Sequence, residues 1–206
     1  MPDPRDSRDV RRRPGGRSAR VRRAVLAATI EELAEVGYGA FGFDGVARRA
    51  GVHRTTLYRR WRSREDLLVD AIAEYAQVAV PIPDTGSVRD DLLRYATSIV
   101  RSVAQPTIRA VVAAYVAEAD HNPELAEAVR RYWADRRRLA RAMVDRAIER
   151  GELPASADAD RVFDHVLGPI YLRLLVTREP LAEAELARIV DSALAAARTP
   201  SAPGTA

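Results

Sequence analysis

Apolar residues recur at three- and four-residue steps through most of the chain, and alternation with a period of two never persists long enough to specify a sheet. Val21, Val25, Leu26, Thr29, Ile30 and Leu33 form one stripe, which predicts a first helix from about Ser18 to Val36 with Gly37 as its C-terminal cap. Phe43 to Ala50 reads as a second, short helix, with Val46, Ala47 and Ala50 turned inward and Asp44 in the first turn, where it complements the helix dipole. Gly51-Val52-His53 follows as a tight turn, then a third helix from Arg54 to about Trp61. Two short helices about a glycine-containing turn are the helix-turn-helix pattern. Leu57 and Trp61 are expected to pack inward from the third helix.

Ser63 and Asp66 give an S-x-x-D capping signal for the next helix, which buries Leu67, Leu68, Ala71, Ile72 and Tyr75 and stops before Pro81 and Pro83. Further helices are predicted at about Ser87–Val103, Thr107–Ala119, Pro123–Arg150, Ala159–Thr177 and Glu183–Ala197. Pro106, Asn122-Pro123, Gly151 with Pro154, and Pro180 separate them, and Asp158 can cap the helix after it. The fold class is therefore all-α, about nine helices, with an N-terminal three-helix helix-turn-helix domain and a C-terminal helical domain.

Composition agrees with helices, and charge adds a function. Ala, Leu, Val, Arg and Glu dominate, and there is no cysteine, which excludes disulfides, thiol catalysis and cysteine-ligated metals. Met1 to Arg64 holds 16 Arg against seven Asp and Glu, a net of +9; the remainder holds 17 against 22, a net of −5. A segregated basic module beside an acidic remainder is the footprint of a polyanion binder. No apolar run approaches the roughly 20 residues that span a bilayer, and no signal peptide is recognisable, so a cytoplasmic protein is expected. The expected organisation is a disordered basic arm (1–17), the helix-turn-helix domain (18–64), a helical effector-binding and dimerisation domain (65–198) and a disordered tail (199–206). The arm's Arg11-Arg12-Arg13 either reaches DNA or simply solubilises the chain.

From Arg22 to Ile72 the sequence resembles the DNA-binding region of the TetR family of transcriptional regulators. The resemblance rests on Val46-Ala47-Arg48-Arg49-Ala50-Gly51-Val52, on Thr55-Thr56-Leu57-Tyr58-Arg59-Arg60-Trp61, and on Ser63-Arg64-Glu65-Asp66-Leu67-Leu68, each in order and at the family's spacing. It departs from the family at Gly42, where a Thr often caps the second helix, at His53 for Ser, at Trp61 for Phe and at Arg64 for Lys. Farther on, Gly168-Pro169-Ile170-Tyr171-Leu172-Arg173-Leu174-Leu175 resembles a segment of one branch of these regulators.

The resemblance implies a dimeric repressor of a palindromic operator, released by a small molecule in the C-terminal domain. Arg54, Thr55, Thr56, Arg59 and Arg60 are then candidates to face the major groove, and Thr56, Tyr58 and Arg64 to touch phosphate. Arg48 and Arg49 read as a solvated face. The last two long helices would form the dimer, through Val162, Val166, Ile170, Leu174, Leu186, Ile189 and Val190, unless these line the subunit's own core. Tyr95, Tyr115, Trp133, Phe163, His165 and Tyr171 are candidates to line the effector pocket, each with an alternative as an ordinary core residue. Arg136-Arg137-Arg138 reads as solvated, and no metal or cofactor is expected, since Asp120 and His121 lack further ligands. An enzyme finds no support: there is no Ser-His-Asp arrangement, phosphate loop, HExxH pair or paired Glu-x-x-His motif. A ligand-free protein-interaction role for the C-terminal domain, and activation rather than repression, stay open.

Overall fold

The computed structural model describes residues 15–199, so most of the expected basic arm and nearly all of the tail lie outside the described residues. The described chain is helical throughout: α1 (Gly15–Ala40), α2 (Phe43–Ala50), α3 (Arg54–Tyr58), α4 (Arg64–Ala79), α5 (Val88–Ala104), α6 (Pro106–Glu118), α7 (Pro123–Glu149), α8 (Ala159–Tyr171) with a π-helical turn (Leu172–Thr177), and α9 (Glu183–Arg198).

Most ends lie where the side chains allow a cap. Ser63 accepts from the Asp66 N–H at 3.1 Å, Asn122 from that of Leu125 at 2.9 Å, and Asp158 from that of Asp160 at 2.9 Å. Gln105 makes no side-chain cap, and α6 starts instead with Pro106, whose missing N–H costs nothing at that position. Three boundaries depart from expectation. α1 starts at Gly15 rather than Ser18, because the first N–H groups of a helix need no internal partner and glycine there costs only about 1 kcal/mol. At its other end Gly37 adopts φ 72°, kinks the helix and allows one more turn, which carries Tyr38 and Phe41 into the core. α3 is shorter than expected, ending at Tyr58, so Arg59 and Arg60 lie in the turn beyond it.

The expected stripe of α1 is buried from Val25 through Leu33. It meets Val46 of α2, Leu57 of α3, and Leu67 and Leu68 of α4 in one core. Ile108, Val111 and Val112 of α6, with Leu125 of α7, close the underside of that core, so the helix-turn-helix is seated on the rest of the molecule. A second core joins Leu92 and Ile99 of α5 to Met143 and Val144 of α7, to Phe163, Val166 and Ile170 of α8, and to Val190 and Leu194 of α9.

This second core takes up most of the residues named for the dimer surface, the alternative that their periodicity left open. Val162, Val166, Ile170, Leu186 and Val190 are buried within the subunit, and only Leu174 and Ile189 of that set are partly exposed. The apolar positions of α8 and α9 are taken up by α5 and α7, which the periodicity of α8 and α9 alone could not reveal. Leu172 and Val176, in the π turn that follows Pro169, are exposed instead. Proline lacks an N–H and disturbs the ladder, and the backbone widens after it. Arg173 ties that turn to α9 through Glu185 at 2.6 Å. No helix among the described residues is long and apolar enough to cross a membrane.

Candidate nucleic-acid interface and inner cavity

α3 is held by its apolar side and presents its polar side. Leu57 is fully buried and Trp61 nearly so, as expected, and the Trp61 indole donates to Asp70 of α4 at 2.9 Å. Gly51, at φ 65°, makes the turn into α3, and the Val52 N–H closes it on the Ala47 carbonyl at 3.0 Å. On the outer face Arg54, Thr55, Tyr58, Arg59 and Arg60 are exposed and Thr56 is half-buried. Tyr58, 58% exposed, stands edge-on against Phe43 with ring centroids 4.7 Å apart, which fixes its direction while leaving the hydroxyl outside. Arg54 lies 3.7 Å from Asp44, and the Arg60 guanidinium 5.9 Å from the Trp61 ring. Arg62, a further basic residue, is also exposed, near the start of α4.

Arg64 is placed differently. Its guanidinium turns inward, donates to the carbonyl of Phe41 at 2.8 Å and to Glu65 at 3.1 Å, and lies over the Tyr38 ring at 4.5 Å. It braces the head more than it faces outward. Glu65 is the centre of this brace: buried, it accepts from the Tyr38 hydroxyl at 2.6 Å and from the Asn122 amide at 3.1 Å, joining α1, α4 and the start of α7. Burial would raise its pKa, but the hydrogen bonds from Tyr38, Arg64 and Asn122 outweigh burial and hold the carboxyl below its ordinary value. Arg48 and Arg49 are both exposed, as expected, but Arg49 also pairs with Glu32 at 2.9 Å and with Glu35, pinning α2 to α1.

Between the two cores lies a cavity of about 60 Å³. α4 supplies Ile72, Tyr75 and Ala76; α5 supplies Tyr95, Ile99 and Ser102; α6 supplies Val111 and Tyr115; α7 supplies Tyr132, Trp133 and Arg136; and Tyr171 ends α8. Four of the expected residues, Tyr95, Tyr115, Trp133 and Tyr171, therefore share one wall. Phe163 does not reach it: it is buried behind Tyr95, edge-on at 6.1 Å. His165 is exposed on the far side of α8, bonded through Nδ1 to the Arg161 carbonyl at 2.8 Å. Val162, Phe163, Val166 and Leu167 take the inward side of α8 and leave Asp164 and His165 outward, and composition does not mark the difference.

The reverse error concerns Arg136. Read as part of a solvated run, it is buried and lines the cavity, while Arg138 is exposed beside Asp135 and Arg137 pairs with Asp164. Its heptad-like spacing from Trp133, Ala140 and Met143 on the inner face of α7 was the available signal. Burial pushes the hydroxyls of Tyr95, Tyr115, Tyr132 and Tyr171 upward, Tyr132 to about 12, so all four are neutral hydrogen-bond donors near pH 7. Among the described residues no cluster of three or more His, Asp or Glu is arranged to hold a metal ion.

Comparison with known proteins agrees with this architecture. Residues 25–71 match the family model described as bacterial regulatory proteins, tetR family, and residues 82–193 match the tetracyclin repressor-like C-terminal domain. The chain is 41% identical over 143 residues to the HTH-type transcriptional regulator AqdR of Rhodococcus erythropolis, covering 69% of each protein. It is 33% identical over 174 residues to the DNA-binding transcriptional repressor TetR of Mycobacteroides abscessus, covering 83% of this chain and 90% of that one. Among solved structures, the TetR family transcription regulator SCO0332 superposes with a TM-score of 0.72 at 33% identity, over 85% of this chain and 97% of the other. A helix-turn-helix with exposed arginines on α3 and in the turn after it, a helical body beneath it and matches to both family models together make this chain a member of the TetR family of DNA-binding transcriptional regulators.

Proposed function

We propose that this chain is a repressor: a homodimer that binds a palindromic operator through residues 18–64 and releases it when a small molecule enters the cavity of residues 65–198. The observation that carries the reading is the outer face of α3 and its following turn, where Arg54, Thr55, Tyr58, Arg59 and Arg60 are exposed while Leu57 and Trp61 fix the helix from behind. Arginine can grip guanine in a bidentate way, and threonine can meet a base or a thymine methyl. Thr56 and Tyr58 suit phosphate, which sets register rather than sequence. Arg64 takes part through the brace around Glu65. That the relative from Mycobacteroides abscessus is named a repressor favours repression over activation.

One α3 spans few base pairs, so specificity calls for a second copy and half-sites one helical turn apart, about 34 Å. The exposed apolar pair Leu172 and Val176, with Ile189, offers the contact between copies along α8 and α9. Val176, 70% exposed, bears the sharpest test. Val176→Asp is expected to turn a dimer into a monomer in sedimentation with its helicity retained; an unchanged dimer would place the interface elsewhere.

Footprinting on the DNA flanking the coding sequence, at low and near-physiological salt, tests the whole reading. A palindrome protected at the higher salt is the expected result. Loss of all protection there would leave only a basic surface attracted to phosphate. On that operator, Tyr58→Ala should weaken binding to specific and random DNA alike. Arg59→Ala or Arg60→Ala should cost about 1–3 kcal/mol and relax preference at one base pair. Equal losses on both DNAs for both arginine variants would remove them from direct readout.

A further inference from the structure

The cavity between the cores contains one permanent charge and no counter-ion for it. Arg136 is 7% exposed and lines the cavity, yet among the described residues no carboxylate pairs with it, although its neighbours Arg137 and Arg138 are both paired. Its Nη2 donates to the carbonyl of Val80, and its guanidinium lies over the Tyr95 ring, 5.2 Å from the centroid. A guanidinium has five N–H donors, and these contacts leave several without a protein acceptor. An unpaired buried cation is costly to hold, and a planar fork of donors is suited to a carboxylate or similar oxyanion, which it takes with two parallel bonds.

The surrounding wall sets the rest of the ligand. Trp133 stands edge-on between Tyr132 at 5.4 Å and Tyr171 at 5.7 Å, and Ile72 and Val111 supply aliphatic surface opposite Arg136's own helix. The tyrosine hydroxyls there stay neutral, so they donate to a ligand oxygen without repelling negative charge. A volume of about 60 Å³ is below the roughly 150 Å³ that accommodates benzene in a protein core, so even a single ring needs half-buried side chains such as Trp133 to give way.

We infer that the ligand of this cavity is a small organic anion with a planar aromatic body, its negative group held by Arg136. The inference rests on the effector reading above and narrows it to a chemical class. It also gives the ligand a lever: Val80, which Arg136 holds, is the C-terminal cap of α4, and α4 begins beside the recognition helix at Arg64. An anion that draws Arg136 away from that carbonyl loosens the far end of the helix that carries the head.

The test uses the full-length protein with 1-naphthoate and 1-naphthamide, which share a ring system and differ in charge at pH 7. Binding is read from tryptophan fluorescence, with Trp133→Phe as the control that removes the cavity signal, and operator release is read in parallel. Naphthoate is expected to bind the native protein at least about tenfold more tightly than naphthamide, and Arg136→Gln to bring the two within about twofold without weakening the amide. Arg136→Lys should retain part of the preference, because the charge survives and the fork does not. Thermal melting by circular dichroism shows which variants fold; if Arg136→Gln does not, the native and Arg136→Lys comparisons decide alone.

The inference is overturned if the amide binds the native protein as well as the acid, if the preference survives in folded Arg136→Gln, or if neither probe nor the single-ring pair benzoate and benzamide binds at millimolar concentration. Its failure is separable from that of the effector reading. An amide that occupies the cavity and releases operator removes the charge requirement and keeps the effector. A naphthoate that binds through Arg136 and leaves operator binding unchanged keeps the anion site and removes the effector role.

Discussion

Leu57→Ala is expected to lower the stability of the folded head by about 2–5 kcal/mol and to abolish specific operator binding at near-physiological salt. Leu57 is fully buried, on the face of the five-residue α3 that enters the core. A helix that short has almost no stability of its own, since nucleation fixes several residues for a single hydrogen bond. Its position therefore depends on Leu57 and Trp61 entering the core made by α1, α2 and α4. Removing three carbons there loses their transfer free energy and leaves a cavity that a well-packed core cannot close. Denaturant titration followed by circular dichroism measures the loss, and the same samples measure operator affinity. A midpoint within experimental error of the native protein would show that α3 is held by something other than this side chain.

The second large effect is expected at Glu65. Glu65→Leu should cost about 3–5 kcal/mol, because it leaves the Arg64 guanidinium, the Tyr38 hydroxyl and the Asn122 amide without their common acceptor in a buried place. Glu65→Gln keeps an acceptor and should cost less. The same carboxylate predicts a pH dependence whose sign follows from its lowered pKa. In the unfolded chain a glutamate titrates near the ordinary value, about 4.3, and in the folded chain below it, so folding favours the charged form. The stabilisation is complete above the ordinary value and is lost as pH falls through the lower folded value. Native protein should thus lose stability as pH falls below about 5, and Glu65→Gln should lose measurably less over the same descent. Parallel pH profiles for the two proteins would show that Glu65 contributes no charge-dependent stability.

For the proposed release of operator by a ligand, this brace supplies a route. Asn122 begins α7, Glu65 begins α4 and Tyr38 ends α1, so the head and body share one buried hydrogen-bonded node. With α6 closing the underside of the head core, motion in the body has a packed route to α3. The node and the Arg136–Val80 contact sit at opposite ends of α4, which makes α4 the element on which both ends of a ligand response would act.

Much of this was legible in the residues. Helical periodicity, caps at Ser63 and Asp158, and the breakers Gly51 and Asn122-Pro123 determined where helices lie, because these are local properties of a few consecutive residues. Segregated positive charge and the spacing from Val46 to Leu68 determined that the N-terminal third faces a polyanion, and which side of α3 is outward. What only the tertiary structure decided is which apolar or charged face meets which neighbour. Val166 and Ile170 could equally have faced a second subunit or α5 and α7; His165 and Phe163 could each have reached the cavity; Arg136 could have been as solvated as Arg138. A period of 3.6 residues specifies a direction around one helix, but burial is a property of the pair of surfaces that meet, and that pairing is settled by packing between segments distant in sequence.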